Sequence, residues 1–172
     1  MTKLPNRAGG GGRTNELGLH FEQTTDLQST LQNLLDFDVK YSRVYRNGQQ
    51  VGLLLGKHSL YKDYLEPKGI DYKKIISKQL RPDDAILVGN TLYIIEKKFQ
   101  SGAGSVDEKL QTCDFKKKQY TKLLAPLGIR VEYYYILNDW FKKPEYRDVR
   151  EYINSVGCKY FFNEIPLEEL GL

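Results

Sequence analysis

Asp83, Asp84, Glu96 and Lys98 are the side chains whose types and spacing suit chemistry. They bracket two apolar runs, Ala85 to Val88 and Leu92 to Ile95, which flank Gly89-Asn90. Short apolar runs around such a turn predict a β-hairpin. Side chains alternate faces along a strand, so Leu92, Ile94, Glu96 and Lys98 share one face. The hairpin returns Glu96 and Lys98 beside the two aspartates. Two acids and an ammonium in one patch make a hard-oxygen cation site with a proton-handling or charge-stabilising neighbour. Mg²⁺ takes one or two protein carboxylates and otherwise keeps water and substrate phosphate. An ion so held polarises a phosphoryl group and lowers the pKa of bound water. The lysine assists the nucleophile or offsets transition-state charge. The plain alternative is an ordinary hairpin with charged ends.

Three features accompany the hairpin: Pro82-Asp83 before the first run, strongly apolar strands, and the tail Lys98-Phe99-Gln100. Together they resemble the PD-(D/E)XK nuclease superfamily, with its restriction-endonuclease-like fold. Pro82-Asp83 resembles the PD, and Glu96-Lys97-Lys98 the (D/E)-x-K. The resemblance implies that Asp83 and Glu96 bind Mg²⁺, with Mn²⁺ able to substitute, and that the Lys97 backbone carbonyl is a further ligand. It makes Lys98 the catalytic lysine and Gln100 a secondary positioning residue. Asp84 is the alternate to Asp83. The helix Asn15 to Glu22 is similar to the element from which the family brings an acidic residue to the metal. Glu22 fits that role through Gly-x-x-Phe-Glu, with Glu16 as alternate. The segment Gly104 to Lys109 resembles the stretch after E-x-K in several restriction enzymes. The resemblance covers about residues 14 to 137.

The elements that must position these residues read as one α/β domain spanning 1–172, an αβββαβ core with a central mixed sheet flanked by helices. Residues 1–13 carry Gly9 to Gly12 between Arg7 and Arg13 and read as a frayed tail, or as an arm following a phosphate backbone. No Gly-Lys-Ser/Thr comes after the glycines, so the run is not a P-loop. From Thr14, a plausible N-cap, a helical stripe of Leu17, Phe21, Leu27, Leu31, Leu34 and Leu35 is expected.

Val39 to Arg46 reads as one strand, Asn47-Gly48 as its turn and Gln49 to Leu55 as the return. Arg43 and Arg46, with Tyr41 and Tyr45, suit a DNA-facing surface or simply a solvated face. Residues 39–80 read as an inserted DNA-contacting segment, with short helices over 59–65 and 71–79. Ser105 and Glu108 form a capping box for a helix from Val106 to Leu124, with Val106, Leu110, Cys113, Tyr120 and Leu124 as its buried stripe. Lys109, Lys116 and Lys117 on that helix hold a phosphodiester backbone or lie on a solvated face. Ser105 is a further candidate phosphate contact. Arg130 to Leu137 reads as a core strand, Tyr146 to Ser155 as a helix, Cys158 to Phe162 as a last strand and Leu167 to Leu170 as a short helical end.

The chain of 172 residues has a net charge of +4 and a sequence pI near 8.9, which permits a polyanionic partner without demanding one. No run approaches the roughly 18 apolar residues of a membrane helix, and no secretory signal is evident. A cytoplasmic location without membrane contact is therefore expected. The two histidines and two separated cysteines argue against a zinc site.

The leading expectation is a Mg²⁺-dependent endonuclease cutting double-stranded DNA. A type II restriction endonuclease acting as a homodimer on a palindromic site is favoured within that class. A junction-resolving or repair nuclease is the nearest rival. A non-catalytic nucleic-acid-binding module on the same fold, or an interaction protein with incidental charges, are the alternatives outside the enzyme class.

Overall fold

The computed structural model describes residues 10–172, with side chains from residue 15 onward. The arginine at 7 and the side chain of Arg13 lie outside the described residues. Among the described residues seven strands form one mixed sheet in sequential order. They are β1 (Phe37–Lys40), β2 (Arg43–Arg46), β3 (Gln49–Leu54), β4 (Asp84–Val88), β5 (Thr91–Lys98), β6 (Arg130–Leu137) and β7 (Lys159–Phe162). β1 to β5 form an antiparallel meander, and β5, β6 and β7 run parallel. Helices cover both faces: α1 (Gly10–Thr24), α2 (Leu27–Gln32), α3 (Val106–Leu110), α4 (Cys113–Leu124) and α5 (Arg147–Ser155). No described helix is long and apolar enough to cross a membrane.

Strand alternation divides the core. Leu92 and Ile94 of β5, Ala85 of β4, and Val131, Tyr133, Tyr135 and Leu137 of β6 pack with α4 and α5 in one cluster. Ile95, Ile86, Tyr134 and Ile136 point the other way and pack with Phe21, Leu27 and Leu31 of α1 and α2. The expected alternation of β5 and β6 is therefore present in the packing.

Several expected boundaries differ. The first helix begins at Gly10, so Thr14 lies inside it and does not cap it. The glycines at 10–12 extend the helix against their intrinsic preference, contrary to a frayed arm over that stretch. The long stripe is broken after Thr24. Thr25 Oγ1 donates to the Phe21 carbonyl at 2.7 Å, and Asp26 caps a second helix by accepting the Ser29 N–H at 2.8 Å. Side-chain hydrogen bonds of this kind compete with helix continuation. Leu17, Leu34 and Leu35, placed on the buried stripe by periodicity, are exposed.

The strand expected over 39–46 is two strands. Tyr41 and Ser42 both take positive φ, 48° and 67°, and turn the chain. Both central residues of a type I′ turn require that region, and neither residue type announces it. Asn47-Gly48 turns with φ of 49° and 82°, as its sequence predicts.

Segment 39–80 is integral to the fold rather than an appendage. β1 to β3 extend the sheet, and Leu60, Tyr61, Leu65 and Ile76 are buried in the larger core. The helix expected over 59–65 is a π-helical turn, Leu60–Leu65. That expected over 71–79 is only a 3₁₀ turn, Tyr72–Lys74, capped by Asp71. Tyr61 Oη donates to the Leu80 carbonyl at 2.6 Å and accepts its N–H at 3.1 Å. The stretch that delivers Pro82-Asp83 is thereby pinned to the core.

The single helix expected over 106–124 is also two. α3 ends at Leu110 and α4 begins at Cys113, with Thr112 Oγ1 donating to the Lys109 carbonyl between them. Ser105 makes no side-chain cap bond, so the capping box does not form.

Burial pushes the Tyr61 phenol up to about 12. It pushes Tyr120, Tyr133, Tyr134 and Tyr135 in the same direction. The folded protein keeps these protons where unfolded tyrosines, near pKa ~10, release them. Stability is then fully present below about pH 10 and falls as pH rises past it. Urea unfolding should show this decline between about pH 10 and 12, and Tyr61→Phe should lose less over the same window.

Candidate active site

The site lies where β5 outruns β4. The β4–β5 ladder ends at Asp84↔Ile95, whereas β5 stays paired with β6 as far as Lys98↔Leu137. Glu96, Lys97 and Lys98 are therefore held by β6 on one side and free of β4 on the other. The vacated position is taken by a side chain: Asp83 Oδ2 accepts the Lys97 backbone N–H at 2.8 Å. Amide and carbonyl of one residue face the same neighbour in an antiparallel ladder, so the Lys97 carbonyl faces the Asp83 side as well.

β3 fixes Asp83 from its other flank. The Leu55 N–H donates to the Ala85 carbonyl and the Lys57 N–H to the Pro82 carbonyl, at 2.7 and 2.8 Å. Gly56 lies so close that a Cβ there would meet the Asp83 carbonyl at 3.2 Å and Asp84 Cα at 3.3 Å. The turn between β4 and β5 has φ +56° at Gly89, a conformation open to glycine at little cost.

Glu96 and Lys98 continue the Leu92–Ile94 face, toward α4. Glu96 is 5% exposed. Its Oε2 is 3.0 Å from Lys98 Nζ and 3.5 Å from Lys116 Nζ of α4. The buried Tyr120 hydroxyl has no hydrogen-bond partner, Tyr133 stands edge-on to Tyr135, and the Glu96 charge acts on both the Tyr120 and Tyr133 phenols. The Asp83 charge acts on Tyr120 too, so both carboxylates lie within electrostatic reach of one phenol.

Asp84 belongs to the opposite face. It pairs with Lys97, Nζ to Oδ2 2.7 Å, and accepts the Leu27 N–H at 3.3 Å. Burial raises its carboxyl above the ordinary range, opposed by Lys97. Asp83 and Asp84 thus divide between the two faces, and the alternate, Asp84, is tied into a structural ion pair. Nearby, burial alone would raise the Asp26 carboxyl. The Ser29 hydrogen bonds and the charges of Lys97 and Lys57 outweigh burial and bring it below the usual range.

Two clefts meet along α1. One of about 320 Å³ is lined by Glu22, Asp26, Lys57, Asp83 and Lys97 among others. The second, about 620 Å³, is lined by Asn15, Glu22, Lys97, Lys98 and Lys109 among others. Glu22 is exposed and common to both, whereas Glu16, also exposed, lines neither. Among the described residues, no three or more His, Cys, Asp or Glu side chains converge as a metal-ligand group.

Gln100 is buried and works as a brace. Its Nε2 donates to the Gly102 and Gly104 carbonyls at 2.8 and 3.3 Å, fastening the glycine turn. Its backbone exchanges two hydrogen bonds with the Asn138 side chain after β6. Its Oε1 is buried without a partner.

The basic residues separate. Lys109 lines the larger cleft and Lys116 reaches Glu96, but Lys117 is engaged by Glu132 at 3.4 Å and the Gly157 carbonyl at 2.6 Å. Arg43 and Arg46 sit on β2, three strands from β5 in the sheet order. Arg46 bonds Asp36 at 2.8 Å and covers the Phe37 ring. Ser105 is exposed in the turn preceding α3.

Sequence reasoning missed Lys116 as a partner of Glu96, and Lys57 and Asp26 as cleft walls. A signal existed for Lys116: it lies three residues after buried Cys113 and four before buried Tyr120, at the margin of the inward stripe. Lys57 and Asp26 carried none, because only the chain leaving β3 beside Pro82 brings Lys57 near and only the docking of α2 on Asp84 brings Asp26 near. The two cysteines, distant in sequence, are free thiols buried in the same core.

No family model matches the chain, and no curated protein matches it either.

The Asp84–Lys97 pair is largely buried, with side chains 16% and 9% exposed. Removing one partner strands the other charge. Lys97→Ala should lower folding stability by about 3 kcal/mol in urea unfolding, and Asp84→Asn combined with Lys97→Met should recover most of that loss.

Proposed function

We propose that the protein is a Mg²⁺-dependent endonuclease hydrolysing phosphodiesters in double-stranded DNA. The carrying observation is the open end of the β4–β5 hairpin. Asp83 takes the Lys97 N–H at 2.8 Å there, and Glu96 with Lys98 3.0 Å away stands on the adjoining strand. An acid, a second acid and an ammonium at the end of one ribbon suit metal-assisted phosphodiester hydrolysis, the acids holding the ion and the ammonium offsetting charge on the phosphate.

The strand order supports the same reading. A helix, an antiparallel meander, a helix and a parallel strand succeed one another as α1, β3–β4–β5, α4 and β6. That is the αβββαβ succession expected of a restriction-endonuclease-like core.

The donor set fits the ion. Asp83, Glu96 and the Lys97 carbonyl offer hard oxygens only, and Mg²⁺ is content with one or two carboxylates, the remaining positions going to water and substrate. When bound, Mg²⁺ supplies polarisation of the phosphoryl oxygen and a more acidic water. The chain's own residues do the rest. Asp83 and Glu96 define the ion's position, and the Lys97 N–H keeps the Asp83 carboxylate from rotating away. Lys98 orients or deprotonates the attacking water and offsets charge on the phosphate. Glu22, common to both clefts, is the acid that α1 contributes. Lys109 is a backbone-phosphate contact at the cleft. Gln100 holds the glycine turn beside Lys98.

Type II restriction is the form favoured, on the likeness of Gly104 to Lys109 to restriction enzymes. A palindromic site would then be read by a homodimer. Incubation with plasmid and Mg²⁺ should give discrete fragments. Glu96→Ala, Asp83→Asn and Lys98→Ala should each reduce the cleavage rate at least about 100-fold. Asp84→Asn should retain cleavage. Plasmid left intact by the wild type across several DNA substrates and divalent cations would refute the proposal. Binding without cleavage would point to a non-catalytic module, and branched substrates cut in preference to duplex would point to a junction-resolving enzyme.

A further inference from the structure

We infer that Lys116 is a resident counter-ion at Glu96, filling the cation's place in the metal-free protein and setting the site's affinity for a divalent ion. The inference rests on the two-carboxylate reading above and adds a residue to it.

The Glu96 side chain is only 7% exposed, yet two ammonium groups approach the same oxygen, Lys98 at 3.0 Å and Lys116 at 3.5 Å. A carboxylate withdrawn from water needs compensation, and one ammonium supplies one charge. The second lysine comes from a different element, α4, and reaches across to the sheet. The buried phenols that feel the Glu96 charge, Tyr120 and Tyr133, keep their protons and offer it no compensating charge.

Glu96 therefore holds more positive charge around it than its own single charge requires. A divalent ion held by Glu96 and Asp83 adds to that excess, and like charges a few Å apart repel strongly where water is scarce. Lys98 is confined to the same strand face as Glu96. Lys116, 26% exposed on a flexible four-carbon stem, is the group free to withdraw.

The test measures Mn²⁺ binding to the full chain by the loss of the free-ion EPR signal, without DNA. Lys116→Gln should bind Mn²⁺ about three- to tenfold more tightly than wild type. Lys116→Met, which keeps the stem and drops the charge, should do the same, so the result does not hang on one variant's folding. Lys116→Arg should restore wild-type affinity. Lys118→Gln, which removes a neighbouring exposed lysine paired with Asp114, should leave affinity unchanged and controls for net charge. A Glu96-dependent Mn²⁺ site with unaltered or weaker binding in both neutral Lys116 variants overturns the inference alone. Absence of any Mn²⁺ site sensitive to Glu96→Gln overturns the metal-dependent reading, and this inference with it.

Discussion

One hydrogen bond holds the candidate site together: the Lys97 backbone N–H to the Asp83 carboxylate, 2.8 Å. β5 continues past the end of β4, and a strand that loses its neighbour exposes unpaired amides. Here the exposed amide is satisfied by an acidic side chain. The carboxylate is thereby fixed beside the strand that carries Glu96 and Lys98. An unsatisfied buried amide would cost about 1–3 kcal/mol, so the arrangement serves the fold and the site at once.

The strand's two-residue period then sorts the charges. Glu96 and Lys98 go to the face of α4, and Lys97 goes to the face of α1 and α2. Each face receives an acid paired with a lysine, but the two pairs differ in kind. Asp84 and Lys97 are largely buried and matched one to one, with the Leu27 N–H on the same carboxylate. Glu96 holds two ammonium groups, and one of them, Lys98, lines the larger cleft with Lys109. A matched pair reads as structure; a carboxylate with two cations, one of them open to a cleft, reads as a place where charge is meant to change.

Beneath Glu96 the core is aromatic and its polar tips are exceptional. Tyr133 and Tyr135 meet edge-on with centroids 5.4 Å apart, and the Tyr120 hydroxyl is left unpaired. Buried hydroxyls normally find partners, so an orphan within reach of a buried carboxylate's charge marks a locally unfavourable arrangement that the surrounding packing must offset. Ladder hydrogen bonds to β4 and β6 and the Gln100–Asn138 clasp supply the rigidity that keeps it in place.

What the sequence alone determined was a set of features that depend on strand period and glycine turn chemistry. The β4–β5 hairpin, its Gly89-Asn90 turn, the Asn47-Gly48 turn, the inward alternation of β6 and the shared face of Glu96 and Lys98 arise from residues near one another in the chain. Only the tertiary structure decided the rest. Asp83 and Asp84 are equivalent in sequence, and the length of β4 relative to β5 separates them. Thr25 and Asp26 break a helix that periodicity would have continued, because side-chain hydrogen bonds outcompete the backbone there. Tyr41 and Ser42 turn the chain without a glycine. Lys116 and Lys117 are adjacent and alike, yet one reaches Glu96 and the other Glu132 and the Gly157 carbonyl. A lysine's partner is fixed by which strand its helix packs upon, and that is a property of the assembled sheet.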